Sequence, residues 1–302
     1  MGGVLVVLLA IFKAWAHPTY IRLGYASCTG CHVSSMGGGL LTPYGQGVSV
    51  SQSLWAEDPE ELPEKQYLLA FQGRVLHLRS EEEARTFPMQ LDVLGQLKLH
   101  PRAWLEATLA VAPKPKDEAP EDETPAYQRL YFRSLAAVWR LPTTLEQRLR
   151  LGLGILPLGV GMVDHTVYTR AENRLQVVDN PIALTHFVST KAFEAHHFVF
   201  VAHPRESQAN AEHGAGAQLW WRPLAQLSLG GQGLAGESQS IRRRLAGALL
   251  KLGHGPWALL AEVNRSWREL VEDRSEFRQW TWLAEASVFP WEPLRLYLQA
   301  QG

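Results

Sequence analysis

The stretch Gln279-Trp280-Thr281-Trp282-Leu283-Ala284-Glu285-Ala286-Ser287-Val288 alternates along most of its length. Trp280, Trp282, Ala284, Ala286 and Val288 fall on one parity, and Gln279, Thr281, Glu285 and Ser287 on the other. Side chains of a β-strand point to opposite faces at successive positions, so this pattern predicts a strand with one apolar and one polar face. Trp257-Leu259-Ala261-Val263 against Glu262 and Asn264 repeats it, as does Leu294-Leu296-Leu298-Ala300 against Arg295, Tyr297 and Gln299.

Upstream the same period recurs. Ala103-Leu105-Ala107-Leu109-Val111 alternates with Arg102, Glu106 and Thr108, and Leu145-Leu149-Leu151-Leu153-Ile155 with Glu146, Arg148 and Arg150. Leu130, Phe132, Ala136 and Val138 are expected on one face, opposite Arg129, Tyr131 and Arg133. About a dozen such segments fill the chain from residue 66 to 302, many of them near the ~9–11 residues of a tilted membrane strand. Ionised residues sit in mid-strand on the polar face, as a wet or plugged lumen requires. Trp104, Trp139, Trp220, Trp221, Trp257, Trp267 and Trp291 recur near strand ends, where an interfacial girdle places aromatic residues. The fold expected is an all-β, antiparallel outer-membrane β-barrel of about 12 strands. A soluble β-sandwich is the competing architecture. Residues 158–190 break the alternation and are expected to form a long loop, able to fold over the lumen.

Composition sets a puzzle, since apart from the N-terminal run no apolar stretch approaches the ~20 residues of a spanning helix. The 302 residues are 46% hydrophobic, with 11 Trp, 8 Tyr and 10 Phe and a formal net charge of −1. Near-neutral balance gives no case for nucleic acid. Val4 to Phe12 form an apolar run, too short to cross a bilayer, and Ala14-Trp15-Ala16 supplies an A-x-A cleavage site, so residues 1–16 read as a signal peptide.

The only two cysteines stand in Cys28-Thr29-Gly30-Cys31-His32. CxxCH is the attachment signature of haem c: two thiols meet the two vinyl groups and the adjacent imidazole becomes an axial ligand. A structural zinc site would need a second ligand pair, and none follows at short spacing. Cys28 and Cys31 are therefore expected to hold one covalent haem, with His32 as proximal ligand. His17 (imidazole or the new α-amine) and Met36 are the candidate distal ligands. His77, His100, His196 and His213 are strand or turn histidines able to reach in from the wall. Arg74, Arg129, Arg133, Arg148 and Arg150 would face the lumen and meet haem propionates or acidic groups of the head.

The segment HPTYIRLGYASCTGCHVSSMGGGLLTPYG, His17 to Gly45, resembles the head of fused monohaem cytochrome c–porin proteins. The likeness is specific over roughly residues 17–47 and architectural beyond. It implies a haem-bearing head or plug over 17–65, a barrel over 66–302, and electron transfer at or across the outer membrane. Periplasmic c-type cytochromes or an extracellular donor or acceptor would be partners, beside outer-membrane lipid. The chain departs from that group in being short and in ending on Gln301-Gly302 rather than on an aromatic residue, which leaves open a missing strand or a smaller barrel. Two other readings stay open. One is a soluble periplasmic β-sheet cytochrome similar to cytochrome f. The other is a haem-dependent metal-oxidising oxidoreductase, although no constellation of acid or base residues singles out a catalytic group.

Overall fold

The computed structural model describes residues 6–10, 17–25, 27–32, 40–51, 66–79, 84–111, 130–161, 168–173, 175, 180–203, 211–291 and 294–302. Fourteen strands form one continuous antiparallel sheet. β1 (Val6–Ala10), β2 (Tyr67–Arg79), β3 (Ala84–His100), β4 (Ala103–Val111), β5 (Leu130–Arg140) and β6 (Glu146–Leu153) are followed by β7 (Ile182–Ser189), β8 (Phe193–Val201) and β9 (His213–Leu224). β10 (Leu227–Glu237), β11 (Ile241–His254), β12 (Trp257–Leu270), β13 (Glu276–Trp291) and β14 (Leu294–Gln301) complete the sheet. From β2 to β14 each strand pairs with its sequence neighbours, an up-and-down meander, and β1 pairs with β14. β2 and β1 end the sheet and are not paired with each other. It is a single curled sheet, not two packed ones, so the sandwich is set aside.

The count exceeds the dozen expected in two places. β7 lies inside the stretch expected to be all loop. β1 falls within the segment read as a signal, whose A-x-A site lies outside the described residues.

Burial follows the alternation. On β13, Thr281, Leu283, Glu285, Ser287 and Phe289 are buried, while Trp280, Trp282 and Trp291 are exposed. On β12, Ala258, Leu260, Glu262, Asn264 and Ser266 point inward and Trp257 and Val263 outward. An exposed outer face of Trp, Leu, Val and Phe beside a buried face with Glu, Asn, Gln and Arg inverts a soluble protein and matches a barrel in lipid.

Two expectations on facing fail for identifiable reasons. The β4–β5 register shifts between Thr108 and Leu109, which pair with Ser134 and Phe132 and leave Arg133 unpaired as a bulge. A bulge inverts the parity beyond it. Ala136 and Val138 therefore turn inward, and Leu135 and Trp139 outward. Trp220, 4% exposed, also points inside, because the adjacent Trp221 takes the outer face. Trp104, half-buried, shares the inward parity of Glu106 on β4.

The two ends of the sheet differ. The described turns 101–102, 141–145, 190–192, 225–226 and 255–256 lie at one end, and the strand ends joined by the longest connections, β4 to β5, β6 to β7 and β8 to β9, at the other. Short turns on the periplasmic side and long loops outside are the pattern of outer-membrane barrels. Tyr67, Trp139, Phe193, Trp221, Trp257 and Trp291 are exposed at the short-turn end and make an aromatic girdle there.

The lumen is filled by two segments. From the long-loop end, part of residues 154–175 folds inward, as one reading of that stretch allowed. Leu156, Leu158 and Leu175 pack with Ala183, Phe198, Phe200, Leu234 and Leu245. Its backbone is held by wall side chains: Gly159 N–H donates to Gln232 (2.6 Å) and Val160 N–H to Glu262 (3.1 Å), while the Gly159 carbonyl accepts from Gln218 (2.8 Å). From the short-turn end enters the segment beginning at His17.

Candidate functional site: the CxxCH helix in the short-turn mouth

Three short helices build the head: α1 (His17–Arg22), α2 (Cys28–Cys31) and α3 (Pro43–Ser51). α1 lies against β11 and β12. Ile21 is fully buried, and the Arg22 guanidinium stands 4.7 Å over the Phe289 ring. Contact is close enough that a Cβ on Gly253 would lie 2.5 Å from the Arg22 backbone, so β11 can take α1 there only with glycine.

α2 is a single turn made of the motif itself. The His32 N–H donates to the Cys28 carbonyl (2.8 Å) and closes it. Positions i and i+3 are neighbours on a helix surface, which sets the two thiols on one side. Cys28 is buried and Cys31 half-buried, and neither is in a disulfide. His32 then leaves in extended conformation and bridges to Leu41. The Thr42 N–H donates to the Cys31 carbonyl (2.9 Å) and the Thr42 hydroxyl to the Gly30 carbonyl (2.8 Å). α3 crosses so near that a Cβ on Gly45 would run into the Cys31 carbonyl.

The barrel wall clamps this turn. Ser27 donates its hydroxyl to the buried carboxylate of Glu194 on β8, which also meets Arg222 of β9 at 3.1 Å and His196 Nε2 at 3.1 Å. Arg148 of β6 reaches the Thr29 carbonyl at 3.4 Å. Lys251 sits 4.4 Å over the Trp220 ring beneath the turn. Above it a groove of ≈ 400 Å³ opens between Tyr25, Cys31 and Tyr44 of the head and Lys191, Arg222 and Ala225 of the short-turn rim. Tyr25 stands edge-on to Tyr20 and tilted to Tyr44, each with ring centroids 6.4 Å apart.

Burial raises the Cys28 thiol above the ordinary range, with Glu194 adding and Lys251 opposing. Cys31 is raised by burial and by Cys28, and Tyr20 by burial and by Cys31. Desolvation disfavours the thiolate in each case, so both sulfurs stay protonated at neutral pH.

The structure brings Cys28, Cys31, His32 and Arg148 together. His17 opens α1, its side chain not among those described, and Met36 lies outside the described residues. Arg133 and Arg150 are instead held by the wall across one intervening strand, by Asp92 of β3 at 2.7 Å and Glu106 of β4 at 2.5 Å. Arg129 and the side chains of Arg74 and His77 lie outside the described residues. His213 is exposed at the far end, 3.5 Å from Glu237, and His100 Nδ1 accepts from the Arg102 N–H in the β3–β4 turn. His196 does approach the site, through Glu194. Sequence reasoning missed Ser27, Glu194, Arg222 and Lys251. Among the described residues no group of three or more His, Cys, Asp or Glu is placed to hold a metal ion.

Fold and site together define an outer-membrane-type β-barrel with a CxxCH turn docked in its short-turn mouth. No family model matches the chain, and no curated protein does. Among solved structures it is similar to a loop L8 deletion mutant of OmpT, an outer membrane protein of Vibrio cholerae. The TM-score is 0.57 at 8% identity, over 78% of this chain and 82% of that one. The trimer form of in-vitro folded OmpT from the same organism gives 0.44 at 8% identity, over 79% and 89%. At such identity the first likeness is one of fold, the outer-membrane β-barrel.

Proposed function

We propose that this protein is a monohaem c-type cytochrome built into an outer-membrane barrel, exchanging electrons at its periplasmic mouth with soluble c-type cytochromes. The observation that carries the reading is the CxxCH turn itself: two thiols outside any disulfide on one helical turn, an imidazole directly after, and a groove lined by Cys31.

The donor set fits haem c. Cys28 and Cys31 would form the thioethers and His32 the proximal bond, while His17 and Met36 remain the distal candidates. Haem iron supplies one-electron exchange between its ferric and ferrous states. Arg222 and Lys191 at the groove, and Arg148 behind it, offer cations to propionates. Tyr25 and Tyr44 cover the groove with ring surface. The Glu194 clamp fixes the turn, and the surrounding charge and burial set the potential. The chain gives this reading one haem at one end of a ~25 Å apolar band. A second redox protein on the short-turn side is therefore part of the proposal. Location in the outer membrane is supported by the outward Trp and Leu belt.

The test is expression with the haem-attachment machinery, followed by membrane fractionation. Expected are a heat-modifiable outer-membrane band that stains for covalent haem, a c-type α-band on reduction, and loss of both haem signals in C28A/C31A. Unmodified cysteines in the mature protein would end the cytochrome reading. Recovery in the soluble fraction would end the membrane one.

A further inference from the structure

On the outer face of β10–β13, at the long-loop rim, the register sets arginines where a barrel meets the outer leaflet. Arg244 pairs with Trp267, and Trp267 with Arg278; one rung inward Arg265 pairs with Trp280. Arg265 lies between two rings, 5.2 Å from the centroids of both Trp267 and Trp280. The depth can be worked out on β12. Trp257 and Trp267 stand ten positions apart on the same face. At ~3.4 Å per residue and a tilt of ~40° that is ~26 Å along the membrane normal, against an apolar band of ~25 Å. Trp257 belongs to the short-turn girdle, so Trp267 marks the opposite interface, and these arginines sit at headgroup level on the lipid side.

Carboxylates offset this charge only in part. Arg242, one rung further out, stands 3.7 Å from both Glu237 and Glu269, and Arg278 pairs with Glu276 at 2.8 Å while more than half exposed. Exposed pairs of that kind contribute little. Among the described residues Arg244 and Arg265 have no carboxylate partner, and the buried Nε of Arg265 has no hydrogen-bond partner. An unsatisfied buried donor on a charged group is costly, and arginine on a lipid-facing wall is costly unless it meets an anion. A groove of ≈ 680 Å³ runs here, lined on the outer face by Arg242, Arg244, Arg278 and Trp267 together with the carboxylates of Glu269 and Glu276, with small Ala235 beside it.

We infer that this groove binds the phosphate-bearing headgroup of an outer-leaflet lipid. Guanidinium forks match phosphate oxygens in charge and geometry, and the flanking tryptophans suit the boundary between headgroup and acyl chain. The inference rests on the outer-membrane reading and not on the haem.

The test is native mass spectrometry of protein extracted from outer membranes in mild detergent, with lipid A added back in micelles. Expected is about one phosphorylated glycolipid retained per chain. R244A/R278A should lose it ~10-fold or more, the scale of one charge-assisted hydrogen bond or above, while keeping heat-modifiable mobility. R244K/R278K should retain an intermediate amount, and millimolar inorganic phosphate should fail to displace the lipid. Equal retention by wild type and R244A/R278A, or none by wild type, would overturn the site. So would displacement by free phosphate, or a lipid-free oligomer that R244A/R278A dissociates, which would make this face a protein interface. A protein absent from the outer membrane would instead strike the reading beneath it.

Discussion

Ser27 is the head residue whose loss should tell most about docking. Its hydroxyl donates to Glu194, and Glu194 keeps Arg222 and His196 when that donor goes. S27A therefore removes one charge-assisted hydrogen bond, together with the hydroxyl contact to Thr29 (2.9 Å), without orphaning a buried charge. Such a bond contributes about 1.5–3 kcal/mol, and at ~1.4 kcal/mol per decade the docked-to-released ratio of the head should fall ~10- to 100-fold. Cys28 reports that ratio, because it is buried only while the head is docked. With two cysteines in the chain, a C31S background leaves it as the single thiol. Haem-free C31S in detergent should react slowly with maleimide, and C31S/S27A ~10- to 100-fold faster, with unchanged heat-modifiable mobility. Equal slow rates would show that the Glu194 clamp does not hold the head. Equal rates at the speed of an unfolded thiol would show that the head is not docked at all.

A Gly253→Val change should force α1 off β11, since its Cβ would fall 2.5 Å from the Arg22 backbone; trypsin should then release the head while the barrel survives. Raising pH should loosen the docked head of the haem-free protein. Its Cys28 thiol is raised above the unfolded value, so the stability it contributes is complete below the ordinary thiol range and lost as pH climbs through the higher folded value. Thermal release followed from pH 8 to 11 should show this loss, and a C28A variant should show less of it. Deleting residues 155–175 should open a conducting pore in planar bilayers, where the intact chain conducts little.

Strands were legible wherever one face meets lipid and the other a polar lumen, as on β12 and β13. They were illegible where the lumen side is apolar. On β7, Ile182, Leu184, His186 and Val188 face outward, but Ala183 and Phe187 face inward, and Ala183 packs against the inserted Leu156 and Leu158. Two half-apolar faces erase a period of two. The bulge at Arg133 is equally silent, since one unpaired residue leaves no compositional mark. In the head, Cys28, Cys31 and His32 announce themselves because their spacing is imposed by covalent chemistry. Glu194, Arg222 and Arg148 come from three strands and meet only through register. The lumen arginines show the same limit: Arg133 and Arg150 looked free in sequence, yet the strands next but one supply Asp92 and Glu106.

The two inserted segments are linked through Trp220 and Lys251, and under the proposed function that suits a conduit for charge better than one for solutes. The tip of the inward loop, Val160, clusters with Trp220, Leu249 and Leu283. Trp220 in turn lies under Lys251, whose charge acts on the buried Cys28. Wall and loop thus pack from the mid-lumen to Trp220, and the charge of Lys251 links that layer to the CxxCH turn. A solute would have to displace apolar contacts and the hydrogen bonds of Gly159 and Val160 together, whereas an electron needs only packed matter and a nearby acceptor. Because the turn sits at the short-turn mouth with Tyr44 exposed beside it, contact with a soluble partner there requires no movement of the loop. Under the proposed function, deleting 155–175 should therefore change ion conductance while leaving electron exchange with a periplasmic cytochrome close to that of the intact protein.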